Sequence, residues 1–189
     1  MISRDEMKKL YSILNQNTIL IELLNYAKSL NIDNYYIGAG CIAQTIWNYQ
    51  IGNDINYGIS DYDFVYYDND LSEEVESKLR DKINSDLAHL NVRIDVKNQA
   101  RVHLWYEKSF GFSIKPYFSV EGAIDTWPST ATSIGVRLEN ELIAYSPFGL
   151  EDMFSQIIRP NKIMITKEIY DMKCNKWKNK WNSLTIIEW

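Results

Sequence analysis

Apolar residues recur at helical spacing from the start of the chain. Ser3 and Glu6 form a capping-box pair, and Met7, Leu10, Tyr11 and Leu14 follow on one face, predicting a helix that ends near Asn15. A second helix is predicted over 18–30, with Ile19, Leu20, Leu23, Leu24 and Ala27 as its apolar stripe. The pattern then turns β-prone at Asn34-Tyr35-Tyr36-Ile37, ends in Gly38-Ala39-Gly40 and returns to helix at Cys41 to Trp47. A polar, glycine-containing stretch over 49–60 reads as a loop. It delivers the chain into a strand over Ile59 to Tyr67, which stops at the Asp68-Asn69-Asp70 turn.

Asp70 is the expected cap of a long helix with Glu73 at its third position. Val75, Leu79, Ile83 and Leu87 repeat down its inner face, and Glu76 pairs with Arg80 outside. Val92 to Lys97 alternates with period two: Val92, Ile94 and Val96 face one way, Arg93, Asp95 and Lys97 the other. The stretch 98–106 is too mixed to assign. A short helix is predicted over 119–127, a hydroxyl-rich loop over 129–133, and a hairpin of 134–138 with 141–145 through Glu139-Asn140. Helices over 150–158 and 167–181 complete the reading. The last carries Trp177 and Trp181 among Lys173, Lys176, Lys178 and Lys180, a pattern of core face with solvated rim.

Composition narrows the class. The chain has 189 residues, 46% hydrophobic and 24% charged, as in an ordinary globular domain. One domain is expected, divided into N-terminal helices (1–33), an α/β core (34–146) and a helical C-terminal part (147–189). A net charge of −5 argues against a broad nucleic-acid surface and leaves room for a local basic groove. Cys41 and Cys174 are the only cysteines and lie in no CxxC or Cys/His cluster, so neither a zinc site nor a disulfide framework is expected. No apolar leader and no run of about 18 apolar residues occurs, which predicts no membrane segment and a cytoplasmic protein.

The chemistry concentrates on three stretches. In the strand 59–67, Asp61 and Asp63 project to one face, roughly 7 Å apart along the chain. Two like charges so placed repel unless a cation lies between them, and a divalent ion is the natural candidate; a polar strand start facing water is the other reading. Asp95 joins them if its strand lies beside theirs, with Arg93 and Lys97 on the same face. The Gly38-Ala39-Gly40 turn before a helix can present N–H groups to a phosphate, or can be a tight turn only. His103 reads as a substrate contact or a structural histidine, and His89 as a partner for a helix C-terminus.

In this order the motifs suit two-metal nucleotidyl transfer, and the sequence resembles the DNA polymerase beta-like nucleotidyltransferase superfamily, in particular the head domain of CCA-adding enzymes. The matching positions are Gly38 and Gly40, Asp61 and Asp63, and Asp95. The run is also similar to a bacterial family of small nucleotidyltransferase-like proteins, through Gly-Ala-Gly before Cys41, Ser60-Asp61-Tyr62-Asp63, Val96 to His103 and Pro147 to Asp152, over roughly residues 35 to 185. The resemblance implies an α+β fold, a mixed-sheet nucleotidyltransferase head with flanking helices and a C-terminal helical segment. It implies two Mg²⁺ ions, or Mn²⁺, on Asp61, Asp63 and Asp95, and an NTP held by Gly38, Ala39, Gly40, Arg93 and Lys97. The acceptor hydroxyl is left open among an RNA end, a protein and a small molecule. Two departures stand out: Ala39 sits between the glycines where the superfamily has a Gly-Ser or Gly-Gly pair, and the interval from Gly40 to Asp61 is long. A catalytically inactive nucleotide-binding or antitoxin-like protein is the alternative.

Overall fold

The computed structural model describes residues 2–189. Helix α1 (Arg4–Leu14) starts at the expected capping box: Ser3 Oγ accepts from the Glu6 N–H, and Glu6 Oε2 accepts from the Ser3 N–H. Asn17 caps α2 (Thr18–Ser29) by accepting from the Leu20 N–H. There follow β1 (Tyr35–Gly38), α3 (Gly40–Ile51), β2 (Tyr62–Tyr66), α4 (Glu73–Asp86), β3 (Ile94–Asn98), α5 (Val102–Phe110), α6 (Val120–Ile124), β4 (Gly135–Leu138), β5 (Leu142–Tyr145), α7 (Glu151–Phe154), β6 (Ile157–Ile158), α8 (Lys167–Lys178) and β7 (Thr185–Ile186).

Five strands form one sheet in the order β3-β2-β1-β4-β5. β2 and β3 run parallel and the other pairs antiparallel, so the fold is α+β with a mixed sheet, as expected. Parallel neighbours need a crossover, and α4 supplies it between β2 and β3. Period-two alternation divides the sheet. Tyr35, Ile37, Tyr62, Phe64, Tyr66, Ile94 and Val96 enter the main core beneath the helices, with the Tyr35 and Phe64 rings stacked at 5.6 Å. Tyr36 and Val65 face the other way and are covered by Val120 and Ile124 of α6. Beyond α6 that second face carries Asp63 and Asp95.

The C-terminal tryptophans belong to the core. Trp181 is fully buried, donates from Nε1 to Asn48 Oδ1 at 2.7 Å, and packs edge-on against Trp47 of α3 and Tyr57. Lys180 reaches the Gly58 carbonyl at 2.8 Å, and Asn48 Nδ2 donates to the carbonyls of Ile55 and Tyr57. The long segment before Asp61 is thus tied down from two sides.

Several boundaries differ from the sequence reading. α3 runs on to Ile51 and stops at Gly52, whose φ of 73° is left-handed, so the loop begins later than expected. Ser72, not Asp70, is the N-cap of α4; Asp70 instead accepts from the Ser72 N–H and shapes the preceding turn. Glu76 points inward, against the expected outer pair with Arg80. It is buried, takes 2.6 Å and 2.7 Å hydrogen bonds from Arg101 Nη1 and the Asn98 N–H, and Val75 is left exposed. His89 pairs with Glu22 of α2 at 2.6 Å instead of serving its own helix. The expected helix over 150–158 lasts only to Phe154: Gln156 takes a positive φ, and Ile157–Ile158 pair in parallel with Thr185–Ile186. α8 ends at Lys178, three residues early. The hydroxyls of 129–133 are buried and bond one another, nearby carbonyls or, from Thr130, the Asp152 carboxylate, so this loop is a connector.

Glu76 and Arg101 form a buried ion pair, with Arg101 Nε also bound to the Leu71 carbonyl. Removing one partner strands the other charge in the interior, which costs far more than the pair contributes. Arg101→Met is expected to lower unfolding stability by about 3–5 kcal/mol, read from urea denaturation midpoints; a change under about 0.5 kcal/mol, the scale of a surface substitution, would contradict a buried pair.

Candidate active site

The site is built on the edge half of the sheet's second face. In the parallel register Asp63 lies directly beside Asp95, and in the antiparallel register on its other side Asp63 lies opposite Gly38. Asp61 immediately precedes β2, two residues before Asp63. The pairing that the sequence left conditional therefore exists. Arg93 precedes β3 and Lys97 lies on it. Their side chains approach Asp95 Oδ1 to 3.9 Å and 3.6 Å, and Asp61 accepts from Ser60 Oγ at 3.1 Å.

The electrostatics follow from the register. Burial pushes the Asp63 carboxyl up to about 7, and the charges of Asp61 and Asp95 add to the shift, while Lys173 and then Arg93 oppose it. Cys41, at the start of α3, is raised well above the ordinary thiol range by burial and then by Asp63, so it stays a neutral thiol, donating to the Gly38 carbonyl at 3.1 Å.

The Gly38-Ala39-Gly40 turn is more specific than its glycines suggest. A Cβ on Gly38 would lie 2.6 Å from the Ile134 carbonyl and 2.9 Å from the Trp127 ring, so this glycine is required for packing. Directly paired residues share a face, which puts Trp127 next to Asp63. At Gly40 a Cβ would meet only the flexible end of Gln44. Ala39 carries the strain, with φ 60° and ψ −132°, a region suited to glycine, and its N–H is held by the Ile134 carbonyl at 2.9 Å. No side chain caps the N-terminus of α3. Its first N–H groups therefore have no side-chain acceptor, although Cys41, Ile42 and Ala43 of the first turn are buried.

Two side chains near the carboxylates escaped the sequence reading. Lys173, placed there on a solvated rim, is half-buried and sits in the field of Asp63 and Asp61. Trp127 read only as the end of a short helix. Neither carries a local pattern, because each reaches the site through tertiary packing. His103 lies in α5, with Nδ1 buried and without a partner. Lys97 Nζ stands 5.8 Å from the neighbouring Trp105 ring, within cation–π reach. Among the described residues no three His, Cys, Asp or Glu side chains are grouped so as to hold a metal ion; Asp95 lies near Lys97 and Arg93, and Asp61 accepts from Ser60. The donors nonetheless fit a hard divalent cation: all are carboxylate oxygens, Asp63 and Asp95 are register neighbours, and Asp63 is short of positive charge.

The fold and site define an α+β protein with a carboxylate pair on neighbouring strands of a mixed sheet, beside a helix start that no side chain caps. The chain belongs to the nucleotidyltransferase family, whose model matches residues 25–186. Its fold is similar to that of a protein whose NMR structure reveals a CCA-adding enzyme head domain, with a TM-score of 0.79 and 22% identity, over 99% of this chain and 97% of that one. No curated protein matches the chain. Nucleotidyl transfer is thus the general activity its family supports, and none of the described helices is long and apolar enough to cross a membrane.

Asp63 and Ala39 yield two stability predictions. Unfolded, Asp63 releases its proton near pH 4, about 3.9; folded, it keeps it to about 7. The folded chain binds the extra proton in that window, so this group makes stability fall as pH rises from about 4 to 7. Asp63→Asn is expected to remove that loss and, without added metal, to be more stable than wild type at pH 8 by on the order of 2–4 kcal/mol, with little difference at pH 4. Urea denaturation at both pH values checks it, and equal differences would contradict the burial. Ala39→Gly is expected to stabilise by about 1 kcal/mol through relief of the positive φ, seen as a raised melting temperature.

Proposed function

We propose that this protein transfers a nucleoside monophosphate from an NTP to a hydroxyl of an acceptor. The observation that carries the reading is the direct register of Asp63 with Asp95 on one sheet face, with α3 starting uncapped beside it. Asp61 and Asp63 would hold two Mg²⁺ ions, or Mn²⁺, and Asp95 would join them at the ion nearer the acceptor. Bound there, the ions would neutralise the phosphate chain and lower the pKa of the attacking hydroxyl.

The chain's own groups position the rest. The Ala39–Gly40 turn and the first N–H groups of α3 receive phosphate oxygens, because the helix start is electropositive and carries no capping side chain. Arg93 and Lys97 flank Asp95 and supply donors to phosphate or acceptor. In the transfer the acceptor oxygen forms a bond to the α-phosphorus as the bond to pyrophosphate breaks. The acceptor proton would leave through Asp95.

A second reading, nucleotide binding without transfer, draws support from the ties of Asp95 to Lys97 and Arg93, which must loosen before it can serve a metal. Incubation with α-labelled NTPs, Mg²⁺ and a cell extract separates the two. Transfer predicts label on an acceptor, lost in Asp63→Asn and Asp95→Asn by at least about 100-fold, the scale of a missing transition-state contact. Retained NTP without pyrophosphate release would favour the binding protein. Wild-type protein that neither binds NTP in calorimetry nor labels any acceptor would sink both.

A further inference from the structure

Of the six tryptophans, five have an aromatic ring or a cation against the indole, and Trp127 has neither among the described residues. Trp47 packs edge-on against Trp177 and Trp181, Trp105 tilts against Tyr106 with Lys97 over its ring, and Trp189 lies beside Tyr170 with Lys162 over its ring. The indole N–H groups of Trp47 and Trp181 donate to the Met153 carbonyl and to Asn48 Oδ1; that of Trp127 has no acceptor among the described residues. The Trp127 ring is half-buried, so part of its apolar surface stays in water with nothing upon it.

This ring lies at the carboxylates. Its outer edge rests on Gly38, with Cη2 2.9 Å and Cζ3 3.1 Å from where a Cβ would stand. Gly38 is the register partner of Asp63, and the Cβ positions of such a pair are about 5 Å apart on one face. The indole is therefore one strand away from the Asp63 carboxylate, over the strand end that leads into the Ala39–Gly40 turn. Its backbone is held in place: the Trp127 carbonyl accepts from Asn161 Nδ2 at 2.9 Å and from Ser133 Oγ at 3.3 Å, and its N–H donates to the Ile124 carbonyl. A platform so fastened loses little freedom when a ligand settles on it.

The two sides of the carboxylate pair differ in chemistry. On the β3 side Asp95 meets Arg93 and Lys97, groups that suit an anion. On the β1 side stands a bare indole with no cation over it. Such a ring offers a phosphate little, whereas a nucleobase gains stacking and covers the exposed apolar surface. A nucleotide with its phosphates at the start of α3 and at Asp63 carries its nucleoside next to that ring.

We infer that Trp127 is the platform on which the base of the nucleotide stacks, so that the site favours the larger π-face of a purine over that of a pyrimidine. The inference rests on the nucleotide reading above and assigns the nucleoside to the β1 side, opposite Arg93 and Lys97.

Calorimetric titrations with MgATP, MgUTP and magnesium pyrophosphate test it on wild type, Trp127→Leu and Trp127→Phe. Trp127→Leu is expected to weaken MgATP about 5- to 100-fold, the range for one base–aromatic stack, to narrow the preference for MgATP over MgUTP, and to leave pyrophosphate unchanged. Trp127→Phe should recover most of the loss, because a smaller ring still stacks. Unchanged MgATP affinity in Trp127→Leu, an equal loss for pyrophosphate, or a wild type that binds MgATP no better than MgUTP would overturn the assignment. A readout on unaltered sequence guards against misfolding: isotope-filtered NMR should show NOEs from the Trp127 ring protons to the base of bound MgATP, and bound MgATP without them would refute the stack. Wild type that binds neither MgATP nor magnesium pyrophosphate would instead refute the nucleotide reading itself, a result seen before any variant is made.

Discussion

The parallel pairing of β2 with β3 sets Asp63 and Asp95 side by side, and the rest of the candidate site depends on that register. A slip of one residue would turn one carboxylate into the core and a Tyr, Phe or Ile out of it. The register is protected because the opposite face is fully committed: Tyr62, Phe64, Tyr66, Ile94 and Val96 are all buried. The same hydrophobic burial that stabilises the fold therefore holds the two charges together against their repulsion.

Around that pair the molecule places its costs and its restraints in different elements. The costs sit at the site: a carboxyl whose proton affinity is raised to about 7, a non-glycine residue at φ 60° and a helix start without a cap. Each is a local departure from the best packing. The restraints lie outside it. The buried Glu76–Arg101 pair fastens α4 to the turn after β3, and Trp181 clamps the segment that leads into Asp61. Asp152, bound by Arg159 and by Thr130 Oγ1, ties α7 to the connector after α6. Its carboxyl is held below the ordinary range by these hydrogen bonds against the cost of burial.

The C-terminal segment unites the two sets. Its tryptophans fill the core beside α3, and the charge of its Lys173 opposes the raised proton affinity of Asp63. Residues far apart in sequence, such as Gly58 and Trp181, are in such close contact that a single methyl on the glycine would collide with the indole. Truncation of this segment would remove both packing and charge, which links stability of the body to the chemistry of the site.

Local periodicity determined which residues of each strand share a face, so Asp61 with Asp63, and Asp95 with Arg93 and Lys97, were legible in the sequence. The first two helices and the capping box of the first were legible too, because those signals act over three or four residues. Periodicity names a face and no neighbour. The β2–β3 pairing, the inward turn of Glu76, the early end of α7 at a parallel strand pair and the approach of Lys173 and Trp127 to Asp63 were decided by the tertiary structure. Each depends on a partner tens of residues away, whose attraction or packing outweighs the weak local preference that a short stretch of sequence expresses.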